Sequence, residues 1–320
     1  MKPSLPLAAL AALSLTYCSA DHGGDVQPVA AIRPANATAT GTLIGPLAEK
    51  KFYKLFDGYD SGDNFEGSGV YTNGGRYFVV FDNRYKLGSI ASSLPENSSQ
   101  NTLTGSGSGS SNFEALAYDG NNTPHYYVAE ETVAHDGAYY PRIRQYDTSL
   151  GYQNSLWTDV AFSSGNSNKG FEGVAYVRRD ADDYLLGLIE STGQIKVLKK
   201  TSGAWVTQAT IPAPVAFPDY SDFAIRGNQV AITTQEGSQL WVGTLSSTSW
   251  NFTDAGQVYD FPRGSSNGTV GAGSNVLYGN IEGVSWLDAT TLVCVSDKAD
   301  NSQPSYQQYK DQSIHLFQLP

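Results

Sequence analysis

Phe171-Glu172-Gly173-Val174-Ala175-Tyr176 and Ile281-Glu282-Gly283-Val284-Ser285-Trp286 are two copies of one phrase: an apolar residue, an acid, a glycine, then a short run closing on an aromatic. The phrase recurs at Phe113-Glu114-Ala115-Leu116-Ala117-Tyr118, is shortened at Phe65-Glu66-Gly67, and is altered at Ser221-Asp222-Phe223-Ala224. Successive acids stand 48, 58, 50 and 60 residues apart. A period of this size marks a chain that repeats one supersecondary unit.

Each opening is followed by a polar turn and a β-rich run that ends in a second acid. These runs are Tyr77 to Asp82, Tyr126 to Glu130, Tyr184 to Glu190, Gln229 to Glu236 and Thr291 to Asp297, so the second acid trails the first by 14 to 18 residues. A third run alternates apolar and polar residues, as in Ile195-Lys196-Val197-Leu198, Leu240-Trp241-Val242-Gly243 and Ile314-His315-Leu316-Phe317. A fourth, less regular run includes Trp205-Val206-Thr207 or Trp250-Asn251-Phe252. Four short strands per unit predict an all-β fold, a β-propeller of five four-stranded blades. The last copy stops after its third strand, so Phe52-Tyr53-Lys54-Leu55-Phe56 is expected to supply its outer strand and close the ring. A β-sandwich is the competing architecture, but it leaves five acids in register unexplained.

The expected domain organisation is a signal peptide over 1–20, an extended arm over 21–45 and a single propeller over 46–320. Lys2, the apolar stretch Leu7 to Leu15 and the ending Cys18-Ser19-Ala20 fit a secretory leader cleaved before Asp21. Anchoring through Cys18 as a lipoprotein is the rival reading, opposed by the bulk of Tyr17. No later segment reaches the ~20 apolar residues of a membrane span. Cys294, in the apolar run Leu292-Val293-Cys294-Val295, is then the sole remaining cysteine, which rules out a disulfide framework or a cysteine-based zinc site. Sequons at Asn36, Asn97, Asn121, Asn251 and Asn267 fit a glycosylated extracellular protein, expected as a monomer. Ser98 to Ser111 reads as a mobile interblade loop.

With Lys2 removed, 31 acids face 19 basic residues, a balance unsuited to nucleic acid or anionic membranes. The first strand of a blade lines the central channel, so Glu66, Glu114, Glu172, Asp222 and Glu282 should converge on one axis. Five carboxylates there repel, and either take up protons or hold a cation. Oxygen-only ligands favour a hard ion, Ca²⁺ above others. The alternative is that these acids only accept hydrogen bonds from backbone N–H groups. The second acids, Asp82, Glu130, Glu190, Glu236 and Asp297, could join the ion, serve as general base or occupy turns. Arg84, Arg142, Arg144, Arg226, Lys298 and Lys310 are expected near the same mouth, either to receive an anionic substrate or to pair with the acids. Of the histidines, only His135 is a catalytic candidate. No nucleophile elbow, phosphate-cradling loop or metal-binding histidine pair is present.

Glu172-Gly173-Val174-Ala175-Tyr176 followed by Leu188-Ile189-Glu190, and Glu282-Gly283-Val284-Ser285-Trp286 followed by Val295-Ser296-Asp297, resemble the phytase-like propellers, also called esterase-like phytases. The architecture is also similar to that of the calcium-activated nucleotidases, five-bladed propellers with an axial calcium ion that hydrolyse nucleoside diphosphates. The resemblance covers about 64 to 319. It implies that Glu66, Glu114, Glu172, Asp222 and Glu282 open the inner strands, although Asp222 departs from the pattern and lacks the following glycine. The leading expectation is a Ca²⁺-dependent hydrolase of phosphorylated small molecules or esters, with a second-ring carboxylate activating water. Two alternatives stand beside it: a non-catalytic module with a structural calcium that binds glycans or protein, with Tyr139 and Tyr140 as sugar-stacking candidates, and a carbohydrate lyase or glycosidase using paired carboxylates.

Overall fold

The computed structural model describes residues 37–121, 123–162 and 170–320. The signal peptide, most of the arm, His22 and the Asn36 sequon lie outside the described residues. The regular secondary structure of the rest is almost entirely β-strand, and the sheets follow the repeat.

Each unit is an antiparallel meander. The first runs through Gly67–Asn73, Arg76–Phe81, Arg84–Ala91 and Thr102–Thr104. The second runs through Phe113–Asp119, His125–His135, Ala138–Tyr146 and Tyr152–Thr158. The third comprises Phe171–Arg179, Asp182–Ile189, Gln194–Lys200 and Ala204–Pro212. The outer strands of the second and third pair in parallel through Trp157 and Thr158, fusing the two into an eight-stranded sheet. The fourth comprises Asp222–Arg226, Gln229–Thr234, Gln239–Thr244 and Gln257–Asp260.

The last meander takes three strands from the C-terminus, Ile281–Trp286, Thr291–Ser296 and Ser313–Gln318, and its outer strand from Ile44–Lys51. The ring is therefore closed by the N-terminal region, but by the eight residues before the expected segment. Phe52–Leu55 is instead one helical turn. Phe52, Leu55 and Phe56 are spaced i, i+3, i+4, a helical and not a strand period, and all three are buried beside Phe65 and Phe81. Burying three large side chains on one side outweighs the β-propensity of the individual residues.

The arm and the loop also differ from expectation. Gly41–Thr42 pairs in parallel with the fourth meander's outer strand. The stretch expected to be a mobile loop contributes Thr102–Thr104 to the first meander, and buried Asn101 fastens it. The Asn101 Oδ1 accepts the Ala91 N–H at 2.9 Å, and its Nδ2 donates to the Leu55 and Pro95 carbonyls. Trp250 to Phe252 forms no strand, only a bridge between Leu245 and Phe252.

The first strands of the meanders neighbour one another in a closed cycle: Gly67–Asn73 beside Phe113–Asp119, then Phe171–Arg179, Asp222–Arg226, Ile281–Trp286 and back to Gly67–Asn73. The fold is a β-propeller with these strands at its axis. The small residue after the acid has its reason here. A Cβ on Gly283 would lie 2.8 Å from the Ser68 carbonyl oxygen, one on Gly69 2.7 Å from the Ala115 Cα, and one on Gly173 2.8 Å from the Phe223 nitrogen. The axial strands approach too closely to admit a side chain there. Large residues fill the space between meanders, where Trp205, Trp241, Tyr127 and Tyr278 are fully buried. Cys294 lies among them as a buried free thiol.

Candidate functional site

The pairing ladder slips at the repeat acid. In the second, third and last meanders it breaks after Phe113, Phe171 and Ile281 and resumes at Ala115, Gly173 and Gly283. Glu114, Glu172 and Glu282 are thus the extra residues of β-bulges, a device that turns a side chain out of the strand's regular alternation. All three line one cavity of about 350 Å³.

Asp82, Glu190 and Asp297, which follow the second strands, line the same cavity together with Glu131 and Asp219. Its other lining residues are Ser110, Asn112, Ser221 and Gln235, so among the described residues eight carboxylates share it with no Lys, Arg or His in its wall. Glu66 meets the cluster at one side: one oxygen each of Glu66, Asp82 and Asp297 lie within 4.8 Å of one another. Gln235 Nε2 donates to Glu282 Oε1 at 2.9 Å, Asn64 Nδ2 donates to Glu66, and the Gly170 N–H donates to Glu131 Oε1 at 3.3 Å. Buried Oδ1 atoms of Asp82 and Asp297 accept no hydrogen bond.

This crowding opposes ionisation. Burial, then a hydrogen bond shared with Glu66, then the charges of Asp297, Glu66 and Glu131 push the Asp82 carboxyl up to about 9. Burial also raises Asp297 to about 7, against a backbone hydrogen bond at Lys298 that favours its charge. Glu114, Glu172 and Glu282 are raised well above the ordinary carboxylate range, first by burial and then by neighbouring acids. A wall of buried, mutually repelling carboxyl groups that holds its protons is also a wall that a cation would discharge.

Three expected members stand elsewhere. Asp222 is in an unbroken ladder opposite Thr233, so no bulge turns it toward the axis. Its oxygens accept the N–H of Phe223 and, across to the last meander, of Val284, both at 2.7 Å. It staples two axial strands, and Asp219 takes its place at the cavity. Asp219 is itself tied by Thr234 Oγ1 and by the N–H groups of Gln235 and Glu236. Glu130 lies within a strand, opposite Arg142. Arg142 and Arg144 both grip its carboxylate, at 2.6 and 2.9 Å, and their hydrogen bonds overcome burial to hold it below the usual range. The next residue, Glu131, reaches the cavity in its stead. Glu236 is exposed and not among the lining residues.

In the first meander the bulge falls between Gly67 and Gly69, so Ser68, not Glu66, occupies the place of Glu114. Ser68 Oγ donates to the Phe113 carbonyl. The Gly-Ser-Gly at 67–69 was the available signal, since the residue after the bulge must be small.

The other candidates scatter. His135 stacks on Trp157 with centroids 4.1 Å apart and lies 3.5 Å from Asp136, not in the cavity wall. Arg84 sits over the Phe65 ring, Lys310 pairs with Glu49, and Lys298 lines a separate pocket. Arg226 lines a cavity formed by the far ends of the same axial strands.

No protein-family model matches the chain, and no curated protein does. Among solved structures, it is similar to glutaminyl cyclase from Myxococcus xanthus at 9% identity and a TM-score of 0.49, covering 84% of this chain and 95% of that one. It is similar to the PQQ-bound aldose sugar dehydrogenase from Streptomyces coelicolor at 12% identity and a TM-score of 0.43, covering 85% and 98%. A luciferin-regenerating enzyme matches at 9% identity and 0.44, covering 84% and 94%. The propeller assignment stands on the strand pairing itself.

Proposed function

We propose that this chain is a secreted, glycosylated, five-bladed propeller that binds Ca²⁺ at its carboxylate-lined mouth and hydrolyses a phosphorylated small molecule or ester there. The observation that carries the reading is the carboxylate-rich wall: eight carboxylates around about 350 Å³, without a cationic side chain among the described lining residues. The donor set is oxygen alone, which suits a hard ion. An ion ~2.4 Å from each ligand bridges oxygens up to ~4.8 Å apart, the separation within which Glu66, Asp82 and Asp297 fall.

Bound there, the ion supplies Lewis-acid polarisation of a phosphoryl or carbonyl oxygen. Among the described residues an anionic substrate has no arginine or lysine to meet at this wall, so the ion is also what would admit it. Glu131, on the second strand of its meander, and Glu190, directly after the next one, then take the role of holding and deprotonating water in place of Glu130 and Glu236.

Two measurements test this reading. Calorimetric titration of Ca²⁺ into chelator-treated protein should give saturable binding that Asp82→Asn and Glu172→Gln each weaken. Hydrolysis of nucleotides, inositol phosphates and simple esters should depend on Ca²⁺ and fall in Glu190→Gln. Calcium binding without turnover of any of these would leave a non-catalytic module with a structural ion; absence of calcium binding defeats both.

A further inference from the structure

The axial strands end in a second cavity, of about 370 Å³, whose chemistry is the reverse of the first. Tyr118, Tyr176 and Trp286 stand three residues beyond Ala115, Gly173 and Gly283, where the ladder resumes, and Tyr71 joins them. Arg226 is the only charged side chain in this wall. It is exposed and makes no ion pair or hydrogen bond among the described residues.

The aromatic groups differ in what they leave unused. Tyr176 donates its hydroxyl to Asp183 at 2.6 Å, and the Trp286 indole N–H donates to the Ala224 carbonyl at 3.3 Å. Their polar tips are engaged, so what they offer a ligand is ring surface. Tyr71 and Tyr118, with ring centroids 5.6 Å apart, have hydroxyls with no hydrogen-bond partner among the described residues. A ligand for this wall therefore needs apolar faces, hydroxyls at its rim and one negative charge. Its size must suit the lower end of small-molecule sites, ~300–1,000 Å³. A pyranose ring bearing a carboxylate satisfies all of these. A phosphate would ask for more than one cation, and an aromatic acid would leave the tyrosine hydroxyls unanswered.

We propose that the aromatic end of the channel binds the uronic-acid terminus of a glycan, with Arg226 taking the carboxylate and Tyr71 and Tyr118 the ring hydroxyls. The site needs no calcium, so it stands or falls separately from the reading above.

The test is calorimetric or NMR titration of the full chain with uronate-terminated oligosaccharides, set against their methyl esters and neutral counterparts. Wild type should bind the acid form more tightly by ~10-fold, the worth of one charge-assisted pair. Arg226→Gln, at an exposed position that packs no core, should erase that preference, and Tyr118→Phe should weaken both forms by ~3-fold through loss of a neutral hydrogen bond. Chelating calcium should change nothing. The proposal is overturned if no uronate binds, if the methyl ester binds as well as the acid, or if Arg226→Gln binds like wild type. Binding of acidic peptides in preference to uronates would equally overturn it, assigning the surface to a protein partner.

Discussion

The two ends of the channel are made by the same strands and share almost nothing else. Among the described residues, one wall carries eight carboxylates and no cation, the other five aromatic rings and a single arginine. Between them lies a waist of Gly69, Ala115, Gly173 and Gly283, where the axial strands nearly touch. A bulge on one side of that waist turns the acid inward, and regular alternation beyond it brings the aromatic to the opposite mouth. Three residues of strand thus separate a cation-seeking surface from a ring-seeking one, and the waist keeps each wall's chemistry to its own end.

The largest effect should come from the waist itself. Gly283→Val places methyl groups where backbone already stands and should cost ~3 kcal/mol or more, seen as a lowered urea midpoint or as insoluble protein. Both ends should fail together, since both depend on the strand spacing.

Calcium should act at one end only. At one hundred times its Kd the ion should add ~2.7 kcal/mol to unfolding stability, measured as a raised melting temperature that Asp82→Asn reduces. The metal-free protein should show the converse with pH. Asp82 is held at about 9 and Asp297 at about 7 in the folded state, above their unfolded values, so the fold binds extra protons. The stability these two groups contribute is then fullest below about pH 4 and is lost as pH rises through 7 and 9. Saturating calcium should remove this loss; a metal-free profile that rises over this window would contradict the carboxylate-rich wall.

Glu130 and Glu131 offer a sharper contrast over one residue. Glu130→Gln breaks the grip of Arg142 and Arg144 and should lower stability by ~2 kcal/mol with calcium affinity unchanged. Glu131→Gln should weaken calcium binding. A reversed result would return Glu130 to the site. Smallest is Asp222→Asn, which keeps one acceptor for the N–H groups of Phe223 and Val284 and should cost ~1 kcal/mol. Its calcium isotherm should overlay wild type, whereas a loss comparable to Glu172→Gln would restore Asp222 to the cavity.

Much of the site was legible before any coordinates. Glu114, Glu172 and Glu282 were recognisable because an acid followed by a small residue is a local pattern, repeated in three of the axial strands. Asp82, Glu190 and Asp297 were recognisable because each directly follows a short second strand. The misplacements share a cause. Glu130 and Glu131 differ by one position, and only the break in pairing between Glu130 and Val133 decides which faces the axis. Asp219 and Asp222 stand three residues apart, and it is Thr234 from the neighbouring strand that ties Asp219. Arg226 looked close to the acids along the chain, yet a strand of five residues carries it to the other mouth.

The sequence alone determined the period, the propeller class, the closure of the last sheet from the N-terminal side and the acid-small pairing at the axis. These follow from alternation, spacing and the steric demands of glycine, which act over a few residues. Tertiary structure decided that Ile44–Lys51 and not Phe52–Phe56 closes the ring, because only the packed first meander offers a place to bury Phe52, Leu55 and Phe56. It also decided which carboxylates share a cavity. Register is set between strands, and a slip of one residue exchanges the face a side chain presents.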